Sequence, residues 1–404
     1  MHNLNFEIAN ALYIHIPFCS RKCPYCDFYS IKYTKKRVDQ YWAALFMELE
    51  EISQKVDKKL LQSIYIGGGT PSLIDPFLLA ELIKKIKKGF KLSQSAEITI
   101  EVNPTSITEE KLIKLKRAGI NRLSVGIQSF NDDFLKLLGR ESSSQRNKEV
   151  LKLINKYFQN YSADLIFALP GQKVADFKND LEQMLKFKPP HISLYNLEIH
   201  ENTPFFHKEK QGKLVLPKEE VDSQMYKTAR NILDDNDYLH YEISNFAKKG
   251  FRARHNYIYW LYQPYLALGP GAAGFDGSRR YQNIRNFDQY LEYYNPDNTY
   301  YNDNNKKQDE NYKVSSKENI NIREIDKLSK KEQMAEYCFL SLRTTQGLFY
   351  HKFYQRFKID IKSIYNNSIL ELINKGLIKE GNNRIYLTEK GKELANEVFI
   401  KFLP

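Results

Sequence analysis

Cysteine is scarce in this chain: four in 404 residues, too few for the disulfide framework of a secreted scaffold. Three of the four fall between Cys19 and Cys26, which points to a metal site in a reducing compartment. Long apolar runs are also missing. No segment approaches the roughly 18 to 20 consecutive apolar residues of a membrane-spanning helix. Met1 to Ala11 lacks the basic-then-apolar layout of a signal peptide. The expectation is a cytoplasmic protein that is not an integral membrane protein. Disorder is excluded by 42% apolar and 13% aromatic residues, enough to build two or three cored domains.

One sign of charge is in excess, with a formal net charge of +12. Most lysines are interleaved with acids at helical spacing and read as a solvated surface. Residues 330–404 are more biased, with 13 Lys or Arg against 8 Asp or Glu. A nucleic-acid-binding regulator is therefore one reading, with Lys352, Arg356, Lys358 and Lys362 as cations that a groove-reading helix would need. The interleaved Phe349, Tyr350, Phe353, Tyr354 and Phe357 look instead like packing against another surface, and no nucleic-acid partner is expected.

Through the first half, short β-rich runs alternate with long amphipathic segments, the pattern of stacked βα units with a parallel sheet. Six strands are predicted: Leu12–Ile16, Ser63–Ile66, Glu97–Val102, Arg122–Ile127, Ser162–Phe167 and Ile192–Leu197. In the first helix Val38, Tyr41, Trp42, Leu45, Leu49 and Ile52 form one stripe that should cover the sheet. Six units are too few for an eight-stranded barrel, so the fold class is α/β, a partial (βα)6 barrel or open parallel sheet spanning 1–212, with the site in the loops after the strands. A mixed extension (213–292) contains the Gly-rich stretch Leu268–Gly277. Residues 293–329 read as an Asn-rich flexible insertion, since eight of the thirty residues Tyr293–Ile322 are Asn and three are aliphatic. The last segment, 330–404, reads as three helices, a hairpin turning at Gly381-Asn382-Asn383 and a final helix, an order resembling a winged helix. Cys338 falls in its core.

The chemistry is concentrated in Tyr13-Ile-His-Ile-Pro-Phe-Cys19-Ser-Arg-Lys-Cys23-Pro-Tyr-Cys26-Asp-Phe. Three thiolates at spacing C-x3-C-x2-C, directly after a strand, can wrap a loop around one soft metal centre. A structural zinc site wants four protein ligands, and neither Cys338 nor any His has zinc-finger spacing to this loop, although His15 is near. An iron–sulfur cluster held by three cysteines leaves one iron open to a small molecule. A three-ligand zinc loop or a chance group of buried thiols is the alternative.

The motif resembles the radical S-adenosylmethionine (SAM) superfamily, whose [4Fe-4S] cluster binds SAM through its amino and carboxylate groups. The flanking Tyr-Ile-His-Ile-Pro-Phe-Cys and Cys-Pro-Tyr-Cys-Asp-Phe-Tyr-Ser resemble the branch that contains anaerobic coproporphyrinogen III oxidase and a haem chaperone. Matches run over roughly residues 11–290 and 330–390. The resemblance implies Cys19, Cys23 and Cys26 as cluster ligands and places SAM against Tyr13, Gly68, Gly69, Thr70, Glu101, Gln128, Arg140 and Asp164. Ile66-Gly67-Gly68-Gly69-Thr70-Pro71 has the physics for this, because residues without side chains let backbone amides approach a ligand. The superfamily's reaction is one-electron cleavage of SAM to methionine and a 5'-deoxyadenosyl radical.

Three features favour the chaperone branch over the oxidase. Phe28 stands where the oxidase carries a further cysteine. Only 18 residues precede Cys19. His255-Asn256-Tyr257-Ile258-Tyr259-Trp260 resembles the chaperones' H-N-x-x-Y-W motif. The resemblance then implies a haem chaperone, with His255 as haem ligand and, as partners, haem, acceptor haemoproteins and an electron donor for the cluster; monomer and homodimer both stay open. The sequence departs from those chaperones in having Glu141-Ser142 after Leu-Gly-Arg and Ala273 in the Gly-rich stretch, where they tend to carry histidines. The alternative enzyme is an oxygen-independent coproporphyrinogen III oxidase.

Overall fold

The computed structural model describes residues 9–56, 60–295 and 322–404. The expected insertion 293–329 lies largely outside them. Strand β1 (Ala11–Ile16) leads into the cysteine loop, inside which β2 (Phe18–Cys19) pairs in parallel with β3 (Ile31–Lys32). The alternation then runs α1 (Lys35–Lys55), β4 (Leu60–Gly68), α2 (Pro76–Gly89), β5 (Lys91–Val102), α3 (Glu109–Arg117), β6 (Arg122–Gln128), α4 (Asp132–Leu137), α5 (Ser144–Tyr157), β7 (Tyr161–Phe167), α6 (Val174–Leu185) and β8 (His191–Asn196).

All six predicted strands are present, and they form one parallel array in the order β1-β4-β5-β6-β7-β8. One line of register joins Ile14, Ile66, Ile100, Leu123 and Tyr161. Every residue of β7 is buried, as expected of a strand covered on both faces. Helix termini are set locally. Thr34, Asp75, Thr108 and Ser143 cap α1, α2, α3 and α5 through their side chains. Val38, Tyr41, Trp42, Leu45 and Leu49 of α1 are buried as the stripe predicts, and Ile52 packs at the edge of the same core.

Residues 213–292 do more than extend this unit. After α7 (Pro204–Lys210) and α8 (Glu219–Asp235) they supply β9 (Leu239–Glu242) and β10 (Asn245–Ala247), antiparallel on the β8 side. Beyond α9 (Arg254–Trp260), β11 (Tyr265–Leu268) pairs in parallel with β1, and β12 (Ala273–Phe275), β13 (Arg279–Asn283) and β14 (Ile322–Lys327) continue antiparallel, with α10 (Phe287–Tyr293) between the last two. Among the described residues the sheet holds twelve strands in a linear order, so its seven parallel strands form an open arc.

The C-terminal segment has helices Lys330–Arg343, Tyr350–Phe357 and Lys362–Asn374, then a hairpin of Ile378–Gly381 and Arg384–Leu387, then Glu389–Glu393 and Ala395–Ile400. Leu348–Phe349 adds a third strand to the hairpin, which the sequence reading missed. Asn382 and Asn383 have φ of 53° and 58°, the left-handed pair a two-residue hairpin turn requires. This core, fully buried Cys338 included, is shared with Tyr262 and Phe275 of the barrel extension. The basic helix faces the same way: Arg356 donates to the Gly277 carbonyl at 2.6 Å and lies over the Tyr262 ring, while Lys362 pairs with Glu380. Two of the four cations that a groove-reading helix would need, Arg356 and Lys362, are thus engaged within the protein.

Candidate functional site

The parallel strands all point their C-terminal ends at the cysteine loop. Cys19, Cys23 and Cys26 are half-buried, and the loop is tied down by backbone bonds from Ile31 to Pro17, from Tyr33 to Cys19 and from Cys26 to Cys23. Burial raises the Cys19 thiol and pushes Cys26 up to about 11, with each neighbouring sulfur adding to the rise. Three thiolates so close in a poorly solvated loop need a bound cation to hold them ionised. Outer donors stand ready: Thr70 Oγ1 is 3.6 Å from Cys19 Sγ, and Arg140 Nη1 is 3.9 Å from Cys23 Sγ. Among the described residues no three Cys, His, Asp or Glu side chains gather tightly enough for a single metal ion. Three soft thiolates on one loop suit an iron–sulfur centre by the chemistry of the donor set.

The glycine segment lies against this loop because nothing larger fits. A Cβ on Gly69 would stand 2.6 Å from the Phe18 carbonyl oxygen and 3.0 Å from Cys19 Sγ. Gly68 has φ of +116°, and a Cβ there would meet the His15 ring at 2.7 Å. The Gly68 amide donates to Glu101 Oε2 at 2.9 Å, and Tyr65 donates to Oε1 at 2.9 Å. Burial still pushes the Glu101 carboxyl up to about 7. His15, absent from the sequence-derived site, accepts from the Tyr13 hydroxyl at Nδ1 and donates from Nε2 to the Tyr29 carbonyl. That pairing describes a neutral imidazole, consistent with a pKa lowered by burial to about 4. The sequence signals for it were its nearness to Cys19 and its period-two spacing from Tyr13 on β1.

Gln128 is positioned by an irregularity. The register of β6 against β7 slips between Gly126 and Gln128, and Gln128 itself has φ of 69°, a bulge that re-aims the side chain at the strand end. Its Oε1 is buried with no hydrogen-bond partner, an acceptor left over for a ligand. Arg140, on the turn after α4, donates to the Gly126 carbonyl at 3.0 Å. Asp164 lies mid-strand in β7, below the rim where the sequence reading put it, and accepts from Ser124 at 3.0 Å and Ser162 at 2.7 Å. The residues present fit a cluster with a polar, cationic small molecule beside it.

His255 is the correction. It opens α9, with its backbone amide bonded to Glu97, and it is 1% exposed. Nδ1 bonds Ser63 Oγ at 2.9 Å and Nε2 bonds the Tyr259 hydroxyl at 2.6 Å, with the Tyr65 ring packed 5.1 Å away. Ser63 is five residues before Gly68 on β4, and the Tyr65 ring stands between His255 and the Glu101–glycine segment, so the motif packs inside the barrel beneath the glycines. A haem ligand needs an accessible ring nitrogen with a free lone pair, and this histidine offers neither. Trp260 is likewise placed structurally, under the Arg343 guanidinium at 4.5 Å.

Comparison with known proteins agrees with this architecture. The model described as "Radical SAM superfamily" matches residues 13–184 and that of the HemN C-terminal domain matches 328–394. The heme chaperone HemW of Lactococcus lactis subsp. lactis (strain IL1403) is 37% identical over 395 residues, covering 98% of this chain and 97% of that protein. The chain belongs to the HemW family. A second HemW, from Bacillus subtilis (strain 168), is 33% identical over 97% of this chain and 98% of its own. Among solved structures, coproporphyrinogen III oxidase (HemN) from Escherichia coli superposes with a TM-score of 0.80 at 23% identity, covering 98% of this chain and 90% of that one. At that identity it speaks for the fold shared by HemW and HemN. Membership of the radical SAM superfamily implies a [4Fe-4S] cluster and SAM. No helix among the described residues is long and apolar enough to cross a membrane.

Proposed function

We propose that this protein is a haem chaperone: it holds a [4Fe-4S] cluster through Cys19, Cys23 and Cys26, binds SAM beside it, takes up haem and hands it to acceptor haemoproteins. The observation that carries the reading is near-full-length similarity to HemW proteins at 33–37% identity. An exposed Phe28 in the cluster loop, where the oxidase branch has a cysteine, supports it. SAM would lie with its amino end near the Glu101 carboxylate and the Gly67–Gly69 backbone. Gln128, Arg140, Asp164 and Tyr13 would orient the rest. When bound, the cluster supplies one-electron chemistry at the sulfonium; the chain's residues position SAM and exclude water.

The test measures two activities on anaerobically reconstituted protein. Haem-loaded protein is mixed with an apo b-type haemoprotein and the Soret band of the acceptor is followed. In parallel, coproporphyrinogen III, SAM and a reductant are assayed for protoporphyrinogen. Haem transfer without decarboxylation is expected; decarboxylation without transfer would replace this reading by the oxidase alternative.

A further inference from the structure

Beside the cluster loop lies an open cavity of about 380 Å³ lined by Tyr29, Ile31, Arg37, Arg285, Asn286, Phe287 and Asp288. Its volume is in the range of small-molecule sites. One wall belongs to the cluster loop itself, because Ile31 pairs with Phe18, the residue before Cys19. The opposite wall comes from the start of α10. Tyr29 links the cavity to the interior, since its carbonyl oxygen holds His15.

The lining combines the apolar side chains of Tyr29, Ile31 and Phe287 with two cations, Arg37 and Arg285. Arg37 makes its described hydrogen bond to the Lys32 carbonyl oxygen at 3.2 Å, and the Arg285 guanidinium stands 5.8 Å from the Tyr29 ring centre. Neither contact neutralises the charge. A second observation points the same way. The first turn of α1 contains no acid and carries Lys35, Lys36 and Arg37, three cations at the end of a helix where the backbone dipole already favours anions. Asp39 pairs with Lys35 alone. This concentration of positive charge opposes local helix stability, so a bound anion is its natural counterpart.

We infer that Arg37 and Arg285 seat the carboxylate groups of a porphyrin, whose ring edge lies on Tyr29, Ile31 and Phe287 next to the cluster loop. The inference deepens the chaperone reading and rests on it. It replaces the buried His255 with an accessible site at the cysteine end of the barrel, and it makes the porphyrin side chains, not the iron, the feature recognised there. Asp288 is the one carboxylate facing the seat and weakens it.

The test titrates the full-length reconstituted protein with haemin and with haemin dimethyl ester, reading the Soret band. The wild type is expected to bind the diacid at least about tenfold more tightly than the ester. The double variant R37Q/R285Q should lose at least about tenfold in diacid affinity and lose the preference over the ester. D288N should shift diacid affinity the other way. These residues are exposed, so the variants keep the fold. A double variant with unchanged diacid affinity and unchanged preference would overturn the seat while leaving the chaperone reading intact. A wild type that takes up neither form would overturn the chaperone reading, and the seat with it.

Discussion

The Gly68 amide donates to Glu101 Oε2 at 2.9 Å across the C-terminal ends of two adjacent parallel strands. The contact holds a carboxyl, raised by burial to about 7, over the one stretch of backbone that lacks side chains. A carboxylate in so poorly solvated a place is costly until a cation arrives. SAM brings one in its sulfonium, and its amine offers N–H donors.

The first prediction concerns that pair. SAM affinity of the reconstituted protein, measured by calorimetry, should weaken as pH falls through about 7, because protonated Glu101 no longer offers a negative acceptor to the SAM amine and its cationic sulfonium. E101Q should bind about tenfold or more weakly at pH 8 and lose this pH dependence. An unaltered slope in E101Q would remove Glu101 from the SAM site.

Gly69 gives the second. G69A places a methyl 2.6 Å from the Phe18 carbonyl oxygen and 3.0 Å from Cys19 Sγ, so the cysteine loop must move. Circular dichroism should remain that of the wild type while iron per chain after reconstitution falls by at least about half. Full iron content in G69A would mean that the loop position does not matter to the cluster.

His255 supports the third. Its removal leaves Ser63 Oγ and the Tyr259 hydroxyl without their partners and opens a cavity beside Tyr65. H255A should lose about 2–4 kcal/mol in urea unfolding, with haem affinity of the folded protein within about twofold of wild type. Normal stability combined with lost haem binding would restore the ligand role that the geometry denies.

A fourth prediction follows from the buried titrating groups of the iron-free protein. Burial raises Glu48 to about 8, Glu101 to about 7 and Asp180 to about 6. Each retains a proton in the folded state that the unfolded chain has released, so its contribution to stability is lost as pH rises towards the folded value. Burial lowers His15 to about 4 and His240 and His255 to about 3. There the unfolded chain takes protons that the folded one refuses, and stability falls as pH drops below about 6.5. The Tm profile should therefore decline on both sides of a maximum near pH 6 to 7, and E48Q should flatten the limb up to about 8. A Tm that rises steadily from pH 6 to 8 would contradict these burials.

The repeating half of the fold was legible in the sequence because its strands, doubly covered, are plain apolar runs and its helices keep one stripe. The seventh parallel strand was hidden: β11 is only Tyr265–Leu268, four residues running straight into the Gly-rich stretch, and its pairing with β1 joins residues some 250 positions apart. The cysteine spacing announced the centre without help from the fold. What no spacing could reveal was the level of each residue along the barrel. Asp164 sits lower than its motif suggested, Gln128 is turned by a bulge, and the H-N-x-x-Y-W helix packs beneath the glycines. Arg37 and Arg285, 248 positions apart in number, line one cavity only because the chain before α10 returns to the cysteine-loop end of α1.

Iron and acid-labile sulfide, measured per chain after anaerobic reconstitution of the wild type and of C19S/C23S/C26S, test the whole account most directly. About four of each in the wild type, with the cluster's visible absorption, and almost none in the triple variant is the result it predicts. A wild type without iron and sulfide, or a triple variant that keeps both, would contradict it.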